Sequence, residues 1–102
     1  MDTIAIWLDD VRVAPDGYAW CKSVNEAKTA IEEAEREGNG IRVIDCDHDL
    51  GDFAGDGGDG VKLLDWLEET GRDYPIHLHT MNPVGRSNMS RIIQRNGWEL
   101  VR

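Results

Sequence analysis

Apolar residues recur along the chain in two patterns, which predict strands that alternate with helices. Short runs rich in β-branched and aromatic residues are typical of strands, and they lie within residues 3–10, 18–22, 41–51, 76–81 and 98–101. Three segments between these runs place apolar residues three and four positions apart, the spacing of a helix with one buried face. The order strand, strand, helix, strand, helix, strand, helix, strand indicates an α/β domain with a mostly parallel sheet.

Polar and glycine residues mark the expected ends of the three helices. The predicted starts are a capping box of Ser23 with Glu26, then Asp59, and then Ser87 or Asn88. The predicted stops are Gly38 or Gly40, Gly71 and Gly97. Only seven residues, 11–17, separate the first two strands, which is too short for a helical crossover. We therefore expect an extended crossover or a hairpin at that point.

Composition limits the size of the domain and the range of its functions. The 102 residues are 40% hydrophobic, enough for one small domain over residues 1–102. No run has the length of a membrane span and no leader pattern opens the chain, so we expect a cytoplasmic protein without a membrane partner. Cys21 and Cys46 fit buried positions in a reducing compartment. A formal charge of −9 argues against duplex nucleic acid as a partner, but it permits a small phosphorylated ligand.

Aspartates concentrate where the two most apolar strands end. Asp9 and Asp10 follow the first strand, and Asp45, Asp47 and Asp49 alternate at the end of the third. Parallel strands bring such ends to one edge of the sheet, where open α/β sheets place their ligands. The second cluster and the loop after it hold six aspartates and no Lys or Arg. We therefore expect a divalent cation, a proton or a hydrogen-bonding ligand among these carboxylates.

Four short motifs follow one another along the chain. They are LDD at 8–10 with Arg12 and Pro15 after it, a strand containing Trp20, DHDLG at 47–51, and HTMNPVG at 79–85 with Met89 after it. In this order they resemble the cyclic-phosphate processing receiver-like family, a branch of the response-regulator receiver fold. The resemblance covers nearly the whole chain. It implies a receiver-like (flavodoxin-like), mostly parallel five-stranded sheet in the order 2-1-3-4-5, with three helices on one face and the first and last receiver helices missing.

The resemblance also implies roles for individual residues. In receiver domains, a carboxylate pair after the first strand and an aspartate after the third bind magnesium, and these positions match Asp9, Asp10 and Asp47. Thr80 matches the hydroxyl residue that contacts phosphate. Receivers also use a lysine after the fifth strand, whereas this chain has no lysine after Lys62.

The resemblance to the cyclic-phosphate branch implies that two histidines, His48 and His79, act as the general acid and the general base. Opening a cyclic phosphodiester needs an activated water, a proton for the leaving alkoxide and stabilisation of the charged oxygens. Imidazole titrates near neutral pH, and an adjacent carboxylate such as Asp49 can hold its tautomer. One histidine is then the base and the other the acid, in either order. A metal ion held by the aspartates is the alternative means of activating water.

Several polar residues near these histidines are candidate phosphate ligands. Arg12 is a candidate bidentate clamp, and the amides at the start of the third helix offer an anion site with Arg86 beside it. Asn82 before Pro83 is typical of a turn, and the family match also makes Asn82 a candidate ligand contact. His77 lies on an outward polar face of its strand and is interpreted as structural.

Three functions from different classes are compatible with these residues. The first is a phosphoesterase acting on a cyclic phosphate of a nucleotide, an RNA end or a sugar. The second is a receiver-like signalling module that accepts phosphate on Asp47. The third is a catalytically silent protein that binds a phosphate ligand or a partner.

The handedness of the connections leads to one expectation about assembly. Right-handed crossovers in the implied strand order place all three helices on one face of the sheet. The opposite, helix-free face is predicted to carry an apolar patch of Trp7, Ile44 and Val101. We expect this face to pair with a second copy as a homodimer, to meet another partner, or to be covered by residues 11–17.

Overall fold

The computed structural model describes residues 2–102 and confirms the predicted alternation of strands and helices. In chain order the elements are β1 (Thr3–Leu8), β2 (Tyr18–Cys21), α1 (Val24–Arg36), β3 (Gly40–Cys46), α2 (Val61–Glu69), β4 (Ile76–Leu78) and α3 (Pro83–Asn96). A short 3-10 helix, Gly51–Gly55, lies between β3 and α2. The domain therefore has the α/β architecture that the residue pattern predicts.

The sheet has four strands in the order β2-β1-β3-β4, and every neighbouring pair is parallel. Because β1 and β2 are parallel, residues 11–17 form an extended crossover and not a hairpin. The predicted fifth strand is wrong, since Leu100 makes only an isolated bridge to Ile76. β4 is three residues long, so it offers a fifth strand very little edge with which to pair.

All three helices contribute to one hydrophobic core on one face of the sheet, as predicted. This core joins inward side chains of the strands to the apolar faces of the helices, including Ile6, Leu8, Ile44, Ile76, Ile31, Leu64 and Met89. Cys21 and Cys46 are buried and free, as their positions within apolar runs predict. Burial raises the pKa of the Cys21 thiol to about 12, so this side chain is an inert apolar group.

A β-bulge in β3 changes which residues face the core. Ile4 pairs with Ile41, but the next residue of β1, Ala5, pairs with Val43, so Arg42 is an extra residue in β3. One added residue reverses the alternation beyond it. Ile44 is consequently fully buried among the helices, and its predicted place on the helix-free face is wrong.

The helix starts confirm one predicted cap and correct two others. Ser23 Oγ accepts from the amide of Glu26 at 3.1 Å, as the capping box predicts. Asp59 does not cap α2, because its carboxylate accepts from the amide of Leu50 at 3.1 Å and Gly60 occupies the cap position. The side chain thus closes the loop between β3 and α2.

The third helix begins earlier than predicted. Its cap is Asn82, whose Oδ1 accepts from the amide of Gly85 at 3.0 Å, and Pro83 follows at the first helical position. Proline fits there because that position needs no amide donor and the ring pre-sets φ. Ser87 and Asn88 lie within α3, so the predicted cap at either position is wrong.

The helix-free face is partly covered by the chain itself. Trp7 donates its indole N–H to the carbonyl of Arg12 at 2.9 Å, and its ring meets Tyr18 edge-on at a centroid distance of 6.0 Å. Since Ile44 is absent from this face, the predicted apolar patch is smaller than expected. Pairing with a second copy stays a prediction. Within residues 2–102, no helix has the length and apolar character needed to cross a bilayer.

Candidate active site

The candidate site lies where β1, β3 and β4 end. Backbone hydrogen bonds continue beyond the strands: the amide of Asp47 donates to the carbonyl of Leu8 at 2.9 Å, and that of His79 to Cys46 at 3.0 Å. These bonds align the segments that carry Asp9, Asp47 and His79. The aspartates and histidines separated in sequence are thereby brought to the carboxyl edge of the sheet, as predicted for parallel strands.

His79 is held between two buried carboxylates. Its Nε2 lies 2.9 Å from Asp9 Oδ2, and its Nδ1 lies 2.6 Å from Asp45 Oδ1. The imidazole also stacks on the indole of Trp7, with ring centroids 4.1 Å apart and planes 5° from parallel. Only 9% of the His79 side chain is exposed. Both ring nitrogens are therefore occupied in this Asp9–His79–Asp45 chain.

Asp9 organises the turn that carries Arg12. Its Oδ1 accepts from the amides of Val11 and Arg12, each at 2.9 Å. The Arg12 guanidinium is exposed and approaches the carbonyl of His79 at 3.5 Å. One buried carboxylate thus fixes both His79 and the loop from which Arg12 reaches the site.

The electrostatics of this chain favour a charged imidazole. Burial by itself lowers the pKa of His79, but hydrogen bonds and charge from Asp45 and Asp9 outweigh it, and the pKa is raised. Burial raises the pKa values of Asp9 and Asp45, whereas backbone and histidine hydrogen bonds lower them, and the net direction is down. The shifts of all three groups favour an imidazolium between two carboxylates.

We expect the free energy of unfolding to fall as the pH rises above the ordinary histidine pKa of 6.5. The raised pKa of folded His79 stabilises the protein fully below its ordinary value of 6.5, and this contribution is lost as pH rises through the folded value. The lowered pKa values of Asp9 and Asp45 contribute stability above their ordinary 3.8 that is lost on acidification. Urea unfolding of wild type and His79→Gln between about pH 5 and about pH 9 tests this. An alkaline loss of equal size in both proteins would contradict the assignment to His79.

His48 is in a different environment at the same edge. Its Nδ1 lies 2.8 Å from Asp49 Oδ1, and Asn82 Nδ2 donates to both oxygens of Asp49 at 3.2 and 3.3 Å. Hydrogen bonds from His48 and then Asn82 lower the pKa of Asp49. The Asp49 side chain is 62% exposed and that of His48 is 15% exposed. At this edge, the His48–Asp49 pair is therefore more open to a substrate than His79 with its two carboxylates.

Both backbone groups of His48 are hydrogen-bonded. Its amide donates to Asp47 Oδ1 at 2.8 Å, and its carbonyl accepts from the amide of Gly60 at 2.7 Å. The imidazole ring packs on Gly85 of α3, where a Cβ would lie 2.4 Å from its Cγ. Glycine at this helical position leaves the space that the ring occupies.

Replacing Gly85 by alanine is expected to displace the His48 ring. Alanine favours a helix by about 1 kcal/mol over glycine, but here its methyl group would overlap the imidazole. Shifted ring resonances of His48 in NMR spectra are the expected result. Gly55→Ala is the matched control, because a Cβ there meets nothing within 4 Å. Unchanged His48 resonances in a folded Gly85→Ala variant would contradict this packing.

The residues predicted to bind phosphate differ in the hydrogen bonds that their side chains already make. Arg86 donates to the carbonyls of Leu78 and Thr80 at 3.2 and 3.0 Å, so its guanidinium supports the loop between β4 and α3. Thr80 is buried, and its hydroxyl accepts from the amide of Asn82 at 3.1 Å. Arg12 is the candidate whose guanidinium is exposed at the site.

Carboxylates and histidines form two groups with metal-ligand proximity among residues 2–102. One contains Asp9, Asp47 and His79, and the other contains His48, Asp49 and Asp59, with candidate ligand atoms in each group within 4.8 Å of one another. Asp10 belongs to neither group. Its side chain lies against Gly51, where an added Cβ would be 2.6 Å from Asp10 Oδ2. The structure thus brings Asp9 and Asp47 together and places Asp10 beside the next loop.

Sequence reasoning missed the roles of Asp45 and His77. Asp45 Oδ1 accepts from His77 Nδ1 at 2.9 Å as well as from His79. The available signal was the alternation of His77 and His79 in the apolar run at residues 76–81, with an aspartate inside the neighbouring strand. Asp45 is paired with His77 in the sheet register, which the bulge in β3 made hard to predict.

The fold and this edge of aspartates and histidines define a receiver-like α/β domain. A family model described as cyclic-phosphate processing receiver domain matches residues 4–95. The chain belongs to this family, and the resemblance noted from its motifs is confirmed. Comparison with curated proteins and with solved structures found no match.

Proposed function

We propose that the protein is a phosphoesterase that hydrolyses a small cyclic phosphate to a phosphate monoester. Membership of a cyclic-phosphate processing family supports the substrate class. The observation that carries the chemistry is the His48–Asp49 pair with its exposed carboxylate, at the same edge of the sheet as the exposed guanidinium of Arg12. The pair supplies a proton acceptor, and the guanidinium can bind phosphate oxygens.

His48 is the proposed base. An ionised Asp49 accepts from Nδ1–H of His48, so the lone pair of a neutral ring lies on Nε2. Nε2 takes a proton from the attacking water while the water oxygen bonds to phosphorus. The ring P–O bond breaks, and the leaving alkoxide takes a proton from solvent. Asn82, which donates to Asp49, orients this carboxylate.

His79 is proposed to act through its charge and not by transferring a proton. Both of its ring nitrogens are hydrogen-bonded to aspartates and its side chain is only 9% exposed, so it lacks the free nitrogen that general acid–base catalysis requires. A fixed imidazolium and the nearby Arg12 instead offset the negative charge of the carboxylates. Offsetting these carboxylates reduces the repulsion that an anionic phosphate would meet at this edge, and the exposed guanidinium of Arg12 can contact its oxygens.

A divalent cation stays a prediction for this site. Asp9 and Asp47 are the carboxylates that would hold it, with Asp10 in the adjacent turn, and oxygen ligands are those that magnesium prefers. Asp9 already accepts from two amides and from His79, so a cation would compete with that last hydrogen bond. When bound, it would supply positive charge beside the phosphate oxygens.

The receiver-like signalling alternative has less support from the structure. Its chemistry would place phosphate on Asp47 beside a lysine, but the three lysines have other contacts. Lys22 lies over the Trp20 ring, Lys28 over Trp66, and Lys62 pairs with Asp65 at 3.9 Å. A small phosphodonor is therefore expected to leave Asp47 unmodified.

Incubation with a panel of cyclic phosphates tests the proposed function. The panel contains an RNA-end mimic, a cyclic nucleotide signal and a sugar cyclic phosphate, each with magnesium, with manganese and with a chelator. Phosphorus NMR is expected to show conversion of one class to its monoester. Tight binding without conversion would favour the silent binding protein, and phosphorylation of Asp47 by the phosphodonor would favour the signalling module.

A further inference from the structure

A cavity lies on the helix-free face of the sheet, away from the His48–Asp49 pair. Its volume is about 370 Å³, at the lower end of the roughly 300–1,000 Å³ of small-molecule sites. The side chains around it come from β2, β3, β4 and the C-terminal segment, namely Tyr18, Arg42, Val43, His77, Val101 and Arg102. Asp45 is the acidic residue in this lining.

The bulge in β3 creates this cavity. In a regular strand, Arg42 and Val43 would point to opposite faces, but the extra residue places both in the lining. The Arg42 guanidinium lies over the Tyr18 ring, 5.7 Å from its centroid, so these two lining residues also contact each other.

The charge of the lining differs from that of the chain as a whole. Within residues 2–102, Arg42 and Arg102 have no carboxylate partner, whereas Arg72 and Arg95 each pair with a glutamate at 2.8 Å. The Asp45 carboxylate is engaged by His77 and His79 through a single oxygen. In a protein with a formal charge of −9, two unpaired guanidiniums beside an imidazole form a local site for an anion.

We propose that this cavity binds a nucleoside monophosphate. Arg42 and Arg102 would hold the phosphate, since guanidinium groups match phosphate oxygens in geometry and charge, and His77 adds a further ring nitrogen. Tyr18, Val43 and Val101 provide the aromatic and apolar surface against which a base and ribose pack. The proposal concerns a different face of the sheet and does not depend on turnover at the carboxyl edge.

Titration of ¹⁵N-labelled protein with adenosine monophosphate, followed by NMR, tests this site. Saturable shifts are expected at the amides of Tyr18, Val43, His77 and Val101. Arg42→Gln is expected to weaken binding at these amides at least about tenfold, as loss of a charge-assisted pair implies. Arg91→Gln is the matched control, because it removes one exposed guanidinium from α3 and is expected to leave binding unchanged.

Parallel titrations with inorganic phosphate and with adenosine measure how much the phosphate and the nucleoside each contribute to binding. Each is expected to bind more weakly than the monophosphate. Equal weakening by Arg91→Gln, no saturation at millimolar ligand, or shifts confined to residues 47–49 and 82–85 would each overturn the proposed site. Inorganic phosphate binding as tightly as the nucleotide would overturn the assignment to a nucleoside monophosphate.

Discussion

Replacing His48 by alanine is expected to lower the rate of cyclic phosphodiester opening by about 100-fold to 10,000-fold, the range typical of a lost general base. The loss should appear in kcat, because His48 acts on the attacking water and not on substrate binding. Its hydrogen bond to an exposed carboxylate contributes at most about 1 kcal/mol to stability. Turnover assays on the cyclic phosphate that the panel identifies, with thermal unfolding of the same samples, measure both quantities.

Two aspartate variants extend the test of the His48 prediction, and one of them is its control. Asp49→Asn is expected to reduce turnover substantially, because a neutral amide fixes the Nδ1–H tautomer less firmly than a carboxylate and no longer stabilises the imidazolium that forms. Asp52→Asn removes an exposed carboxylate from the following loop and should leave turnover unchanged. A folded His48→Ala protein with more than half of the wild-type rate would contradict the proposed base.

Replacing His79 by alanine is expected to lower the free energy of unfolding by about 3–5 kcal/mol, as for other broken buried ion pairs. The substitution leaves the carboxylates of Asp9 and Asp45 buried without their shared cation, and it removes the ring that stacks on Trp7. Part of the loss should disappear at low pH, where the two carboxylates become protonated. Urea unfolding near pH 7 measures the effect.

His77→Ala is the control for the His79 prediction. It removes a hydrogen bond to the same oxygen of Asp45, but the His77 side chain is 35% exposed and leaves that oxygen paired with His79. A loss of at most about 1.5 kcal/mol is expected. If His79→Ala were no more destabilising than His77→Ala, the Asp9–His79–Asp45 chain would not be a major contributor to stability.

The sequence by itself determined the features that depend on local pattern. The periodicity of apolar residues predicts the alternation of strands and helices, because each element buries one face. The Ser23 cap is likewise local, since its partner lies three residues away. Aspartates at the ends of β1 and β3 had to meet at one edge because parallel strands share a direction. Short motifs also indicated the family to which the chain belongs.

Only the tertiary structure decided which site residues are buried and which are accessible. His48 and His79 look equivalent in sequence, yet His79 is closed between Asp9 and Asp45, which lie 70 and 34 residues away along the chain. Burial and long-range pairing of this kind have no local signal. The bulge at Arg42 also has no local signal, because it depends on how β3 pairs with β1. It reverses the face of the sheet to which each later side chain of β3 points. The partners of Asp45 and the cavity beside it therefore depend on packing across the sheet, which the order of residues does not reveal.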